Sequence, residues 1–326
     1  MTLVGRRPVV DAPALLRGLR VPPHFGDATF DTYRPDPDFP SQREGRDRVR
    51  RFAEGAGARL RRASAGRGIY LDGGFGVGKT HLLAALANHL GEQAAFGTFV
   101  EYTHLVGALG FHQARVALSE FRAVCIDEFE LDDPGDTVLM ARLMRELADA
   151  GVALAATSNT LPESLGMGRF AAEDFKREIQ ALATVFEVVT IDGPDYRHRG
   201  DITFTVASDA EVAVLADVEG ADVVEWGELV ADLSHVHPSR LGAYIEGVRW
   251  LGLTNVGPLA DQNQALRVVT LVDRLYDADV RIVASGHSLG EVFTPEMLAG
   301  GYRKKYFRAL SRLAAMSQHI EGATAA

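Results

Sequence analysis

Cysteine is almost missing from this sequence: Cys125 stands alone among 326 residues. A lone thiol excludes an intrachain disulfide and a cysteine-built zinc site, and it suits a reducing compartment. No apolar run approaches the roughly 20 residues that a membrane-spanning helix needs, so membrane contact is expected to be peripheral at most. The opening MTLVGRRPVV lacks the apolar segment of a secretory leader, which points to the cytoplasm. Positive charge is in short supply: 34 Lys and Arg face 44 Asp and Glu, a net charge of −10. That balance disfavours non-specific nucleic-acid binding, which depends on neutralising phosphates. His235 and His237 form an H-x-H pair, but no third ligand sits close in sequence. What is present, 47% hydrophobic and 24% charged residues, is an ordinary globular composition, enough for one large domain or two small ones.

One stretch carries chemistry. Ile69-Tyr70-Leu71 enters the turn Gly73-Gly74-Phe75-Gly76-Val77-Gly78-Lys79-Thr80, which fits G-x-x-x-x-G-K-[ST] at every fixed position. Leu82 to Ala87 are good helix formers, and Gly91 suits a C-terminal cap. Glycines let backbone N–H groups converge on a phosphate chain, and the following helix adds the positive end of its dipole. Lys79 is then placed for the β- and γ-phosphates and the Thr80 hydroxyl for magnesium. The expected ligands are ATP and Mg2+. The bland alternative is a glycine-rich turn before an ordinary helix.

Further along, Arg122 to Glu128 is an apolar run ending in two acids. Asp127 would hold the magnesium through water, and Glu128 would orient and deprotonate the attacking water. Two acids at a strand end can also cap a helix. Val152 to Thr157 reads as a buried strand stopping at Ser158-Asn159. There Asn159 either holds the lytic water and senses the γ-phosphate or serves as a turn residue. Arg169, within Gly168-Arg169-Phe170, is a candidate arginine for a neighbouring subunit's γ-phosphate, or a surface arginine.

The flanks are less explicit. Residues 1–40 read as an extended arm, and Ser41-x-x-Glu44 as a capping box opening a helix with Val49 and Phe52. Phe30, Tyr33 and Gln42 could flank an adenine base or pack the arm on the core. From Arg43 to Arg67 nine arginines face three acids, either a contact surface for a nucleic acid, acidic partner or anionic lipid, or a solvated helix face. A strand is expected from Phe96 to Tyr102, a helix around Leu105 to Phe121, a helix from Asp136 to Ala150 ended by Gly151, and a strand from Val185 to Ile191. Residues 201–239 contain no Lys or Arg, and the alternation from Ile202 to Val206 suggests a small β excursion. A last helix from Thr294 to Ile320 carries Arg303, Lys304, Lys305, Arg308 and Arg312, mostly solvated, with one of them a candidate lid arginine. The tail after Glu321 is expected to be disordered.

The chain also resembles itself. Arg249 to Asn255 is similar to Arg122 to Glu128, Ala265 to Tyr276 to the helix 136–150, and Val280 to Ser285 to Val152 to Thr157. Thr254-Asn255 stands where the first copy has Asp127-Glu128, so the second could not serve magnesium. A degenerate strand–helix–strand unit extending the sheet is one explanation, and chance likeness between two buried α/β segments is the other.

Beyond these local readings, VPPHF, FDTYRPDPDFPSQ, GGFGVGKTHL, CIDEFELDD, GVALAATSNTLPESL, GPDYR, LVDRLYD and FRALSRLAAM together resemble the ZapE cell-division ATPases and their mitochondrial lactation-elevated relatives. The resemblance implies an oligomeric cytoplasmic AAA+ ATPase. Lys79 and Thr80 match the family's phosphate loop, Asp127 and Glu128 its acids, Asn159 its sensor, Arg169 an arginine after a glycine-rich segment, and Arg312 the SRL segment. It further implies a protein partner in the division machinery, such as the tubulin-like FtsZ. Three departures touch the partner contacts and the arginine assignment: Gly166-Met167-Gly168 precedes the arginine, Ala314-Ala315 replaces the final glutamate signature, and the region 198–230 looks shortened. The resulting expectation is an α/β P-loop NTPase of AAA+/ASCE type, with a predominantly parallel sheet flanked by helices and a C-terminal extension. Residues 1–54 would form an arm and first helix, 55–197 the ATPase core, and 198–326 a segment packing back on it. A helicase-loader or transposition-type ATPase, or a scaffold with little turnover, remain alternatives.

Overall fold

A computed structural model describes residues 2–9, 11–57, 68–74, 76–129, 134–159, 184–194 and 204–318. The chain divides into two compact units. The first comprises residues 11–21 and 25–199, the second residues 1–10, 22–24 and 200–326. Residues 1–10 therefore group with the C-terminal unit and do not form an arm of their own with residues 11–54. No helix among the described residues is long and apolar enough to cross a membrane.

The first unit is built on five parallel strands, β1 (Gly68–Gly73), β2 (Ala94–Thr98), β3 (Ala123–Asp127), β4 (Ala153–Ser158) and β5 (Phe186–Ile191), in the order β2-β3-β4-β1-β5. Parallel strands need covering on both faces. Helices α2 (Pro40–Gly57) and α3 (Lys79–Leu90) cover one face, where Leu82 and Leu86 share a core with Leu71 and Cys125. On the other face, α4 (Phe99–Leu109), α5 (Phe111–Leu118) and α6 (Pro134–Asp149) enclose Tyr70, Ile126 and Leu143. The short α1 (Ala12–Gly18) precedes Leu19, whose carbonyl accepts the Phe96 N–H at 3.1 Å, beside the edge strand β2.

Three boundaries differ from the sequence expectation, each for a local reason. β2 stops at Thr98 because Thr98 and Glu101 form a reciprocal capping box that starts α4, where a strand through Tyr102 was expected. The helix expected over 105–121 is two helices broken at Gly110, whose φ of 79° leaves the helical region. Ser41 is not a cap. Its helix begins one residue earlier at Pro40, and the Ser41 hydroxyl accepts the Asp192 N–H at 2.9 Å.

In the second unit Ile202 and Thr203 of the expected β excursion lie outside the described residues, and the described part of the acidic stretch is mixed α/β. It holds α7 (Asp209–Val214), the parallel strand β6 (Ala221–Glu225) and α8 (Trp226–Asp232). After α9 (Leu241–Tyr244) come β7 (Trp250–Val256), α10 (Gln262–Asp277) and β8 (Arg281–Gly286). The expected strand–helix–strand unit is thus present. It does not extend the first sheet, however: β6-β7-β8 form a separate parallel sheet. The long final helix is divided by Gly300-Gly301 into α11 (Pro295–Ala299) and α12 (Arg303–Met316). Arg308 and Arg312 are not solvated. Both pair with Asp273 of α10, Arg308 at 2.8 Å, and the Arg312 guanidinium lies 5.3 Å from the Tyr276 ring centre. Burial raises the Asp273 pKa, but the two guanidinium groups outweigh it and hold the carboxyl below its ordinary value. LVDRLYD and FRALSRLAAM are therefore two halves of one ion cluster. The N-terminus is tied into this unit as well. Leu3 is fully buried in its core, and Asp232 accepts from Arg7 at 2.7 Å, Tyr244 at 2.8 Å and the Gly5 N–H at 3.1 Å. The tail expected to be disordered lies outside the described residues.

Candidate nucleotide site

Strand order brings the expected residues together. β4 lies between β1 and β3, so its C-terminal end separates the glycine loop from the acidic pair. Ligands of open α/β sheets bind outside these carboxyl ends.

The loop is held in shape from behind. Gly73 has a φ of 153°, and a Cβ there would lie 2.2 Å from the Ile191 carbonyl oxygen. Gly78 has a φ of 88°, and a Cβ there would meet the Tyr33 ring at 2.5 Å. The Tyr33 hydroxyl donates to the Val77 carbonyl at 2.9 Å. Gly78 is also the N-cap of α3 and offers no side chain to the first-turn N–H groups, which leaves them pointing to where an anion would sit. Gly74 and Gly76 complete the described loop, and Phe75 lies outside the described residues.

Lys79 is 8% exposed and donates through Nζ to the Gly73 carbonyl at 2.9 Å, to the Gly74 carbonyl at 2.5 Å and to Asn159 Oδ1 at 2.9 Å. Loop lysine and strand-tip asparagine are direct partners. Thr80 Oγ1 donates to Asp127 Oδ1 at 3.2 Å, so a hydroxyl and a carboxylate, both hard oxygen donors, occupy one spot. Glu128 comes next, with a φ of 53°, a left-handed conformation that glutamate rarely adopts. Burial raises the Asp72 pKa beside the loop, although the Gly73 N–H and the Lys79 charge pull it down. Cys125, buried in β3, has its thiol pushed up by burial and by Asp127, and so stays protonated.

Two residues here had no role in the sequence reading. Thr157, only 2% exposed, donates to Asp127 Oδ1 and accepts the Glu128 N–H at 3.1 Å. It ties both acids to the neighbouring strand β4. Phe129 is fully buried, with its ring centre 5.1 Å from that of Phe99 and 6.3 Å from that of Tyr70, and it pins the chain just past Glu128. An Asp-Glu-Phe run with a threonine at the neighbouring strand tip is the signal that could have found them. Phe30, Tyr33 and Gln42 pack the arm on the core. Phe30 and Tyr33 are buried, and Gln42 accepts the Asp36 N–H and donates to the Asp192 carbonyl. Arg169 lies outside the described residues, and Arg312 is engaged with Asp273.

A family model described as AFG1-like ATPase matches residues 9–214 and 203–322. The chain belongs to the AFG1-like ATPase family. Over 147 residues it is 32% identical to the cell division protein ZapE of Escherichia coli (strain K12), covering 41% of this chain and 39% of that one. It is 26% identical over 275 residues to lactation elevated protein 1 homolog B of Danio rerio, covering 67% of this chain and 55% of that one. The match thus spans about two fifths to just over half of these curated relatives. Among solved structures it is similar to AMPPCP-bound DnaA from Aquifex aeolicus, with a TM-score of 0.39, 15% identity and 53% of each chain covered. The parallel sheet with its glycine loop agrees with the family: this AFG1-like chain carries the α/β P-loop NTPase fold.

Proposed function

We propose that the chain binds ATP with Mg2+ at Gly73–Thr80 and hydrolyses it. The observation that carries this reading is the convergence of Lys79, Thr80, Asp127, Glu128 and Asn159 at the carboxyl ends of adjacent strands, where Lys79 bonds Asn159, Thr80 bonds Asp127, and Thr157 joins Asp127 to Glu128. The loop N–H groups and Lys79 bind the phosphates. Thr80 and Asp127 fit a hard divalent cation and would hold Mg2+, which when bound neutralises charge on the phosphates. Glu128 orients water and takes its proton, while Asn159 positions the same water. Arg169 of a neighbouring subunit completes the site, which makes the working form a homo-oligomer. Hydrolysis then remodels a protein partner of the division apparatus, FtsZ or one of its associates. Likeness to the cell division protein ZapE supports this last step. The arginine-rich segment gives the nucleic-acid alternative little weight, because Arg46, Arg48 and Arg50 already pair with Asp47, Glu187 and Asp31.

Phosphate release and nucleotide binding, measured on the parent chain and two variants, test the reading. Glu128→Gln is expected to bind ATP and turn it over at least about 100-fold more slowly, and Lys79→Ala to lose binding. Normal turnover in Glu128→Gln would overturn the base assignment. Turnover per chain that does not rise with protein concentration would remove the neighbour's arginine. The Glu128→Gln protein held with ATP is also the bait for the partner.

A further inference from the structure

The two sheets match in more than outline. In the first unit Ala94 pairs with Ala123 and Thr98 with Asp127, and in the second Ala221 pairs with Trp250 and Glu225 with Thr254. One constant shift along the chain relates all four positions. Ala123 pairs with Ala153 and Ile126 with Ala156, as Trp250 does with Arg281 and Leu253 with Ala284, after a single added residue. The bonds that open the strands recur: Arg122 N–H to Gln93 O and Ala153 N–H to Arg122 O match Arg249 N–H to Gly220 O and Arg281 N–H to Arg249 O. Both β2 and β6 run straight into a helix capped by the last strand residue, Thr98 from Glu101 N–H and Glu225 from Glu228 N–H.

Rare backbone conformations recur too. Among the described residues only Glu128, Asn255 and Asp279 have positive φ without being glycine. Asn255 stands at the position of Glu128, with φ of 55° against 53°, and Asp279 at that of Gly151. Side chains on both faces keep their places. Ala123 and Ala155 pack under α3 as Trp250 and Val283 pack with α7. On the other face Ile126 and Leu143 correspond to Leu253 and Leu271. Even the strand that should carry the phosphate loop has a remnant. Ala207 bridges Ser285 in parallel, as Leu71 of β1 pairs with Thr157.

The connection from strand to helix is where the copies part. Between Leu71 and α3 lies the glycine loop, whereas between Ala207 and α7 lies only Ser208, which caps the helix itself. The first turn of α7 carries Asp209 and Glu211, negative charge where the first copy receives phosphate. Ser285, at the place of Thr157, donates to Asp209 at 2.5 Å, so the buried hydroxyl is kept while its carboxylate comes from the helix start. We infer that residues 204–287 are a second copy of the nucleotide-binding core from which the phosphate loop has been deleted, its anion position held by the chain's own Asp209. The molecule therefore takes one nucleotide per chain.

The stoichiometry rests on the ATP reading above, while the duplication does not. Full-length chain is titrated with ATP and Mg2+ by calorimetry, and hydrogen exchange is followed by peptide with and without nucleotide. Expected are one equivalent bound per chain and protection gained over residues 68–80 and 123–129. A second equivalent would overturn the inference. So would protection over 204–213 or 250–256 that persists in Lys79→Ala. Binding nowhere would sink the ATPase reading and leave the second copy silent, as inferred.

Discussion

Replacing Thr157 with valine removes one hydroxyl and keeps the β-branched shape that a central strand favours. That hydroxyl bonds a carboxylate, Asp127, and a neutral N–H, Glu128, and Thr157 is only 2% exposed. A buried bond to a charged group contributes about 1.5–3 kcal/mol and a neutral one about 1 kcal/mol, so the loss is roughly 2–4 kcal/mol of stability. For a unit of this size that lowers Tm by roughly 5–15 °C. Both acids also lose a common anchor, and displacement of a base by about an ångström can cost about 100-fold in rate. The assay is steady-state ATP hydrolysis beside a thermal melt. The expected result is a kcat lowered roughly 10–100-fold with KM for ATP little changed, restored by Thr157→Ser. Valine retaining parental kcat would refute the claim that Thr157 sets the two acids in place, whatever happened to Tm.

The second unit and Glu128 supply the other expected outcomes. Both tryptophans, Trp226 and Trp250, lie in the second unit, so their emission reports on it alone. Leu3→Ala empties a fully buried position and is expected to lower that unit's stability by about 2–5 kcal/mol in urea; an unchanged midpoint would mean that residues 2–9 do not belong to its core. Asp232 is raised by burial but held below its ordinary value by Arg7, Tyr244 and the Gly5 N–H, and Asp273 is likewise depressed. Their contribution is complete above the unfolded carboxylate pKa, about 3.9, and fades as pH falls through the lower folded values. Tryptophan emission should therefore hold steady down to about pH 4 and change below it; in Asp232→Asn the midpoint in urea near neutrality should fall and the acid dependence should shrink. Glu128→Asn should abolish turnover and leave the melt at or above that of the parent, since asparagine tolerates positive φ; a large drop in Tm would argue against strain at that residue.

Much of the first unit was legible because its signals are local. The glycine loop, the helix after it, the caps at Gly91 and Gly151 and the acids at a strand end each depend on a few adjacent residues, and each lies where the sequence pattern put it. Boundaries failed where a cap outweighed propensity: Thr98 and Glu101 turn a β-favouring Phe-Val-Glu-Tyr run into helix. The Thr157 link went unread because it joins residues 30 apart whose meeting depends on strand order, although the threonine at the strand tip was a signal for it. Asp273 with Arg308 and Arg312 was missed for the same reason. An acidic segment with a short alternating run reads as a small β excursion, and only the pairing of β6 with β7 shows that part of it joins a parallel sheet as an edge strand.

The paired copies also bear on why Glu128 is where it is. Both copies turn left-handed at the same register, Glu128 just past β3 and Asn255 near the end of β7, so the conformation goes with this turn of the fold. The second copy fills it with asparagine, whose short side chain bonds Glu225 at 3.1 Å and suits the conformation. The first fills it with glutamate, which costs about 1–2 kcal/mol in that region. Phe129 supplies the buried contact one residue later. Asparagine holds the same turn in the second copy at lower strain, so a glutamate in this conformation points to a use for its longer carboxylate, in keeping with the base role proposed for it.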